Sequence, residues 1–268
     1  MAIITGLQGR IALITGANHG IGAATARAFA AEGAAVAIHY LDVPPGPPPD
    51  LPYQPQHVHK GRPAAEALIA EIVAGGGRAV AVAGDLADPA VIPELFDQVE
   101  ALLGPVEILV NNAAHCEAPD TTLTASAGLI DRTFAVNVRA SVLLMAEFVH
   151  RYQARGGRKG RIISLSTDAA QTFAGQIAYG ASKATIEAFT RSIAIEVGPL
   201  GITVNAVAPG PVQTGWMTPD QVAAIVDDIP LRRVGEPADI ADVIVFLASD
   251  QARWLTGQVI KVSGGHEI

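Results

Sequence analysis

The stretch "TGANHGIG", residues 15–22, joins two predicted elements of different kinds and decides the fold. Before it, "RIALIT" (10–15) is a short apolar run that predicts a buried strand. After it, "GIGAATARAFAAEG" (20–33) is rich in alanine and closes on a glycine, which predicts a helix with a C-terminal stop. A glycine-rich turn between a first strand and a first helix is where many α/β proteins bind phosphate groups.

The turn requires each of its three glycines for a different physical reason. Gly16 allows a tight turn, Gly20 lets the backbone approach a phosphate closely, and Gly22 permits close packing of the helix. The N-terminus of the helix then offers N–H groups and a positive dipole end to a pyrophosphate. The spacing differs from G-x-G-x-x-G, which would place the second glycine at Asn18. A glycine-rich turn without a ligand is the alternative, and the position at the first crossover favours a dinucleotide.

The rest of the chain alternates between predicted strands and helices. The six further strands lie at 34–40, 78–85, 106–113, 160–166, 202–210 and 257–265. The further helices lie at 63–77, 89–104, about 125–154, 178–198 and 237–249. This alternation implies crossover connections and a parallel sheet that is covered on both faces. The sequence therefore predicts an α/β fold, with one doubly wound (Rossmann) domain over residues 1–268 and a seven-stranded parallel sheet.

One segment interrupts the alternation. Residues 43–63, "VPPGPPPDLPYQPQHVHKGRP", contain eight prolines and follow the second predicted strand. Such a run cannot form a helix or a central strand and favours polyproline II or disorder. We interpret it as a surface insertion. The alternative is that it borders the adenosine end of a bound cofactor, which it would reach with the polar side chains of His57, His59, Lys60 and Arg62.

Composition and charge exclude several classes of function. The 268 residues carry a net charge of −8, so we expect no basic face that would bind nucleic acid. The one cysteine, Cys116, rules out an internal disulfide and fits a reducing compartment. No apolar run reaches the roughly 20 residues that span a bilayer, and the N-terminus lacks the pattern of a signal peptide. We expect a cytoplasmic protein with no metal site, no membrane partner and no nucleic-acid partner.

The stretch "YGASK", residues 179–183, separates a tyrosine from a lysine by small residues alone. On a helix the two side chains share a face, one turn apart. The pKa of a free tyrosine is about 10, and a nearby cation lowers it by favouring the phenolate. Tyr179 and Lys183 fit a tuned acid/base pair, although on spacing alone an exposed tyrosine beside an exposed lysine is the more frequent case.

Five motifs in this order resemble the short-chain dehydrogenase/reductase family. They are T-G-x-x-x-G-I-G at 15–22, "NNAA" at 111–114, Y-x-x-x-K at 179–183, "VNAVAPGPVQT" at 204–214 and "LTGQVIKVSGG" at 255–265. The resemblance runs from about Gly9 to the C-terminus and is broken only by the proline-rich segment. "NNAA" departs from the commoner N-N-A-G, where alanine should be tolerated. Residues 230–250 are similar to the branch that contains 3-oxoacyl-acyl-carrier-protein reductases.

The resemblance implies four catalytic residues. Tyr179 matches the general acid/base, and Lys183 matches the lysine that lowers the tyrosine pKa and binds the nicotinamide ribose. Ser166, thirteen residues before Tyr179, matches the serine that polarises the substrate oxygen, and this spacing favours it over Ser164. Asn137 matches the asparagine that kinks its helix and holds a water for proton relay. Moving a phenol pKa from about 10 to near 7 takes roughly 4 kcal/mol, which Lys183 and a positive nicotinamide ring are expected to supply.

The resemblance also implies which residues bind the dinucleotide. Asp85 matches the residue that meets the adenine ring, with a helix N-cap as its alternative role. Asn111 and Ala113 are expected to line the cleft, and Val212 and Thr214 match positions that hold the carboxamide. The full expected set is Gly16, Asn18, His19, Gly20, Ile21, Gly22, Tyr40, Asp85, Leu86, Asn112, Ala113, Ala114, Tyr179, Lys183, Pro209, Gly210, Val212 and Thr214.

The choice between NADP and NAD depends on the end of the second strand. NAD-preferring relatives carry an acid there, whereas this chain has Tyr40, and His19 stands where NADP-preferring relatives often carry a basic residue. Against NADP, Leu41 is not basic and Asp42 would repel a 2′-phosphate if it pointed inward. Compensation would have to come from the basic residues of the proline-rich segment, Lys60 and Arg62. We expect NADP(H), with NAD(H) and Asp42 as its ribose acceptor the alternative.

The substrate is the least determined part of the prediction. Trp216 and Met217 lie in a segment at about 212–235 that in the family forms a lid, although Trp216 fits plain packing as well. His115 and Cys116 follow the fourth predicted strand at the mouth of the cleft, and Cys116 is expected to be an inert, half-buried thiol. We expect a small-molecule carbonyl substrate that is interconverted with a secondary alcohol, such as an aliphatic ketone or a 3-oxoacyl thioester.

Two other functions remain as alternatives. A non-catalytic dinucleotide-binding regulator would be expected to lose part of the catalytic set, which is complete here. A sugar-nucleotide epimerase fits the glycine spacing and the modest C-terminal region less well. The long apolar faces of the helices at about 125–154 and 178–198 predict a homotetramer, with a dimer as the alternative, because in the family these helices pair across a twofold axis.

Overall fold

The computed structural model describes residues 5–42, 54–55, 61–157 and 159–267. Its main sheet has seven parallel strands in the order β4-β2-β1-β5-β7-β8-β9. These strands are β1 (Ile11–Ile14), β2 (Ala35–Tyr40), β4 (Arg78–Ala83), β5 (Ile108–Asn111), β7 (Arg161–Leu165), β8 (Thr203–Pro209) and β9 (Val259–Val262). The predicted doubly wound fold with a seven-stranded parallel sheet is confirmed.

A second, short sheet was not predicted. In it, β3 (Gln54–Pro55) pairs antiparallel with β6 (Glu117–Ala118). The strand β3 belongs to the segment predicted as a proline-rich insertion, of which 43–53 and 56–60 lie outside the described residues.

Eight α-helices connect the strands in the described part of the chain. They are α1 (Gly20–Ala31), α2 (Gly61–Ala74), α3 (Val91–Leu102), α4 (Ala127–Phe134), α5 (Ser141–Ala154), α6 (Ile177–Val197), α7 (Pro219–Ile225) and α8 (Pro237–Ala248). Helix α7 lies within the segment predicted as a lid. Within the described ranges, no helix combines the length and the apolar character needed to cross a membrane.

The continuous helix predicted over about 125–154 is wrong in one respect. A π-helical turn at Ala135–Ala140 separates α4 from α5. The turn contains Asn137, whose side chain bonds to the backbone of His115 in a neighbouring loop. Its own carbonyl accepts a hydrogen bond from the Ser141 hydroxyl at 2.9 Å. Such turns are frequent at functional sites. The pattern of apolar residues does not reveal this one, although the family resemblance implied a kink of the helix at Asn137.

Successive side chains of each strand point to opposite faces of the sheet. Helices cover both faces, so the side chains on both are buried. Ile14, Ile38 and Val110 point to one side, where they form a core with residues of α1, α2 and α8. Leu13 and Leu109 point to the other side, where α3, α5 and α6 cover them. Burial of a side chain of this size contributes about 1.5–3 kcal/mol, so the two apolar layers hold the sheet between the helices.

The functional cleft follows from the strand order. Strands β1 and β5 are neighbours, but the chain leaves β1 towards α1 on one face, and the next helix to pack on the sheet after β5, α5, lies on the other face. A crevice must therefore open between their carboxyl ends, which is where open α/β sheets bind ligands.

His39 ties three chain segments together at this edge of the sheet. It is buried near the end of β2. Its Nδ1 accepts the N–H of Gly16 at 3.2 Å, and its Nε2 lies 3.0 Å from the carbonyl oxygen of Gly84, to which it donates. These partners require the neutral imidazole, and burial lowers the pKa of His39 to about 4.

His39 should make the protein sensitive to mild acid. An unfolded histidine has a pKa of about 6.5, so the unfolded chain binds an additional proton as the pH falls below that value. The stabilising contribution of neutral His39 is complete above about pH 6.5 and is lost as the pH falls towards 4. Urea unfolding should show about 2–3 kcal/mol of extra loss between about pH 7 and about pH 4.5 in wild type compared with His39→Gln. An equal loss in both proteins would contradict this role.

Candidate active site

The residues expected to bind the cofactor and substrate largely meet in one cleft of about 820 Å³ at the carboxyl ends of the strands. Four of the expected site residues lie outside its lining: Gly22, Tyr40, Asn111 and Asn137 are packed behind it. The expected residues that line it are Gly16, Asn18, His19, Gly20, Ile21, Asp85, Leu86, Asn112, Ala113, Ala114, Ser166, Tyr179, Lys183, Pro209, Gly210, Val212 and Thr214.

The glycine turn forms one end of this cleft. Gly16 and Gly20 have φ angles of +59° and +54°, a region that favours glycine. Gly22 has no room for a side chain, since a Cβ would lie 2.6 Å from both the Gly16 oxygen and Asn112 Nδ2. The first residues of α1, Gly20 and Ile21, line the cleft, so the backbone of the helix start borders it. This geometry suits an anionic group such as a pyrophosphate.

Tyr179 and Lys183 lie together at the other end, on α6. Lys183 Nζ is 5.5 Å from the centre of the Tyr179 ring and donates a hydrogen bond to the Leu165 carbonyl at 2.8 Å. Burial lowers the pKa of Lys183 to about 8 and raises the pKa of Tyr179 above its usual value. The expected lowering of the tyrosine pKa is therefore not supplied by the protein's own groups, because desolvation disfavours the phenolate.

Asp120 fixes the start of α6 and was missed in the sequence. Its buried carboxylate accepts the N–H groups of Ala178 and Tyr179 at 3.0–3.1 Å, and its carbonyl accepts that of Ile177. These are N–H groups that a helix leaves without intrahelical partners, and a negative charge there is favourable. Asp120 therefore holds the helical turn that carries Tyr179. The contact joins residues 58 positions apart, so no local sequence pattern predicts it.

Asn137 links the same helix to the loop after β5. Its Nδ2 donates to the His115 carbonyl at 2.9 Å and to Ser182 Oγ at 3.0 Å, and its Oδ1 accepts the His115 N–H at 2.7 Å. The amide thus has a positioning role within the protein. A role in holding a water for proton relay stays a prediction.

Ser166 lines the cleft, but its hydroxyl is engaged elsewhere. Its Oγ donates to the buried carboxylate of Glu187 at 2.8 Å. A serine hydroxyl has one proton to donate, so this bond competes with polarisation of a substrate oxygen. The next residue, Thr167, also lines the cleft, and its Oγ1 donates to Asp168 Oδ1 over a longer distance of 3.4 Å. Thr167 is therefore a second candidate for the hydroxyl assigned to Ser166.

Cys116 also lines the cleft and is buried. Burial raises the pKa of its thiol to about 12, so the thiolate is scarce near neutral pH. This agrees with the expected inert thiol and argues against covalent catalysis by Cys116.

Comparison with known proteins agrees with this geometry. A family model described as enoyl-(acyl carrier protein) reductase matches residues 58–267. An uncharacterized oxidoreductase, YjdA, of Bacillus subtilis is 38% identical over 261 residues, which cover 96% of this chain and 97% of the relative. A 3-oxoacyl-[acyl-carrier-protein] reductase of Synechocystis is 34% identical over 265 residues, 98% of each chain.

A solved structure shows the same fold. The short-chain dehydrogenase from Burkholderia cenocepacia in complex with NADP has a TM-score of 0.83 and 33% identity, over 97% of this chain and 98% of the other. The described geometry, the matching family model and these relatives agree. The chain belongs to the short-chain dehydrogenase/reductase family.

Proposed function

We propose that the protein interconverts a ketone and a secondary alcohol with NADP(H), using Tyr179 as the general acid/base. The observation that carries this proposal is that two sets of residues line one cleft. The glycine turn that suits a pyrophosphate lies at one end, and the half-buried Tyr179 and the buried Lys183 lie together at the other. When bound, the nicotinamide supplies or accepts the hydride, and the protein supplies position and a proton.

The protonation of the two side chains favours reduction as the starting point. With its raised pKa, Tyr179 holds its proton near neutral pH, and Lys183 with a pKa of about 8 remains mostly charged. A protonated phenol is the form that donates to a carbonyl oxygen as negative charge develops there. The adjacent ammonium group of Lys183 stabilises the phenolate left behind. Burial of Lys183 beside the half-buried Tyr179 lowers the local dielectric and strengthens this attraction.

Arg62 supports the preference for NADP(H). It stands at the start of α2, where its guanidinium donates to Asp42 Oδ2 at 2.7 Å and lies 5.9 Å from the centre of the Tyr40 ring. Asn18 of the glycine turn donates to the Gly61 carbonyl at 3.0 Å, which holds this helix start beside the turn. The charge of Asp42, which argued against a 2′-phosphate, is therefore paired. Lys60, the other residue considered, lies outside the described residues.

We further propose a cytoplasmic homotetramer. Exposed apolar side chains support it: Leu143 on α5, Ile195 on α6, Phe246 on α8, and Trp254, which is 95% exposed. Where such side chains form a contiguous patch, the patch marks a protein–protein contact. Light scattering that gives four times the chain mass of 27.6 kDa would support the assembly, and the mass of a single chain would contradict it.

Replacement of Arg62 tests the choice of cofactor by binding alone. Arg62→Gln should weaken NADP⁺ binding by about tenfold in calorimetry and leave NAD⁺ binding nearly unchanged, because only NADP⁺ carries the 2′-phosphate. Arg27→Gln is the matched control, because Arg27 also forms an ion pair outside the cleft lining, with Glu71 of α2 instead of Asp42 beyond the end of β2. Equal weakening of both cofactors would remove Arg62 from this role, and a loss of NAD⁺ affinity in Asp42→Asn would favour the NAD(H) alternative.

Tyr179→Phe tests the proposed chemistry. A panel of ketones, followed by the absorbance of NADPH, should show turnover by wild type and a loss of about 100- to 10,000-fold in the variant, with NADP⁺ binding retained. Turnover by Tyr179→Phe within about tenfold of wild type would exclude the acid/base role. Tight NADP⁺ binding by wild type without turnover of any ketone would favour the non-catalytic regulator instead.

The same assay distinguishes the two candidate hydroxyl groups. Because Ser166 donates to Glu187 at 2.8 Å whereas Thr167 donates to Asp168 only at 3.4 Å, Thr167→Val should lower kcat/KM by about 100-fold, and Ser166→Ala should stay within about fivefold of wild type. The opposite order of effects would return the role to Ser166, as the thirteen-residue spacing predicts.

A further inference from the structure

A second polar pair lines the cleft, and the proposed proton transfer does not use it. Asp168 follows β7, and His266 lies four residues beyond the end of β9. His266 Nδ1 is 2.8 Å from Asp168 Oδ2. Both residues line the cleft that contains Tyr179, and their side chains are only 4% and 18% exposed, respectively. Parts of the chain 98 residues apart thus meet in this cleft.

The backbone holds both partners in place. The N–H of Asp168 donates to the Pro209 carbonyl at 2.9 Å, which fixes the loop after β7 against the end of β8. Gly264 and Gly265 have φ angles of +65° and +94° and turn the chain so that His266 faces Asp168. The Gly264 carbonyl accepts the N–H of Leu231 at 3.1 Å, so this turn also supports the base of the segment predicted as a lid.

Burial of these two ionisable side chains in the cleft costs free energy of desolvation. Phe173, Trp216 and Ile225 line the same cleft with apolar surface. Burial raises the pKa of Asp168, and the hydrogen bond from His266 opposes that rise. A buried carboxylate and its partner are weak evidence for stability, because desolvation offsets their attraction. Polar groups that converge in an apolar cleft usually orient a ligand.

We propose that the Asp168–His266 pair binds a hydroxyl group of the substrate, so that the enzyme prefers hydroxylated ketones; this rests on the proposed ketone reduction. An ionised Asp168 accepts the Nδ1–H of His266 and leaves Nε2 as an acceptor, and a protonated imidazole makes Nε2 a donor. A hydroxyl group satisfies either state. A carboxylate substrate fits less well, because Asp168 and Glu267 both line the cleft.

Binding of matched ketones tests the pair without relying on turnover. The ligands are the ortho-, meta- and para-hydroxy derivatives of acetophenone, each compared with the methyl derivative of the same ring position. Calorimetry is done on the full chain saturated with NADP⁺, with which a ketone cannot react. Wild type should favour the hydroxyl over the methyl derivative by about tenfold at one ring position at least. His266→Phe should reduce that ratio to within about twofold, and His266→Gln, which keeps a hydrogen-bonding group, should retain part of it.

The outcomes separate this proposal from the proposed reaction. A hydroxyl-to-methyl ratio that is unchanged in a folded His266→Phe protein, or that is near one in wild type, would overturn the role of the pair. Loss of NADP⁺ affinity in His266→Phe without a change in the ratio would assign the pair to the cofactor and overturn it too. The predicted ratios together with absent NADPH oxidation would support the pair while contradicting the proposed ketone reduction.

Discussion

The site depends on how the chain satisfies its backbone groups where β1 and β5 end side by side. Thr15 Oγ1 accepts the N–H groups of Asn112 and Ala113, each at 3.0 Å. Asn112 Nδ2 in turn donates to the carbonyls of Thr15 and Gly16 at 2.8 and 2.9 Å. An unpaired buried N–H or C=O group costs about as much as a lost hydrogen bond. Because side chains satisfy these groups, the two strands can diverge and leave a cleft instead of continuing as a sheet.

Different hydrogen bonds and packing contacts hold the two ends of that cleft. At the glycine end, His39 bonds to Gly16 and Gly84, and the missing side chain of Gly22 lets α1 approach the turn. At the tyrosine end, Asp120 holds the start of α6, and Asn137 joins α6 to the loop after β5. Reacting groups that are fixed before the substrate arrives lower the entropic cost of reaction. The chain is an NAD(P)-dependent oxidoreductase of the short-chain dehydrogenase/reductase family, and this framework is what its fold contributes to the chemistry.

Local sequence signals predicted the framework well and the contacts between distant segments poorly. Strand and helix periodicities and the glycines of 15–22 act within a few residues, so they were sufficient to predict the parallel sheet and the cleft. The break between α4 and α5 depends on a contact of Asn137 with His115, 22 residues away. The partnerships of Asp120 with α6 and of Asp168 with His266 span 58 and 98 residues. The raised pKa of Tyr179 was also missed, because spacing gives the distance to Lys183 and gives no measure of burial.

In the proposed reaction, a carbonyl carbon receives a hydride in the cleft that contains Tyr179. The most direct measurement of this transfer is the fate of deuterium placed at the transferable position of the nicotinamide ring of NADPH. After incubation with a ketone that the protein reduces, mass spectrometry should find one deuterium on the carbinol carbon of the alcohol, from one face of the ring only. Alcohol that carries no deuterium, or deuterium that appears in the solvent, would contradict direct hydride transfer and with it the account of this site.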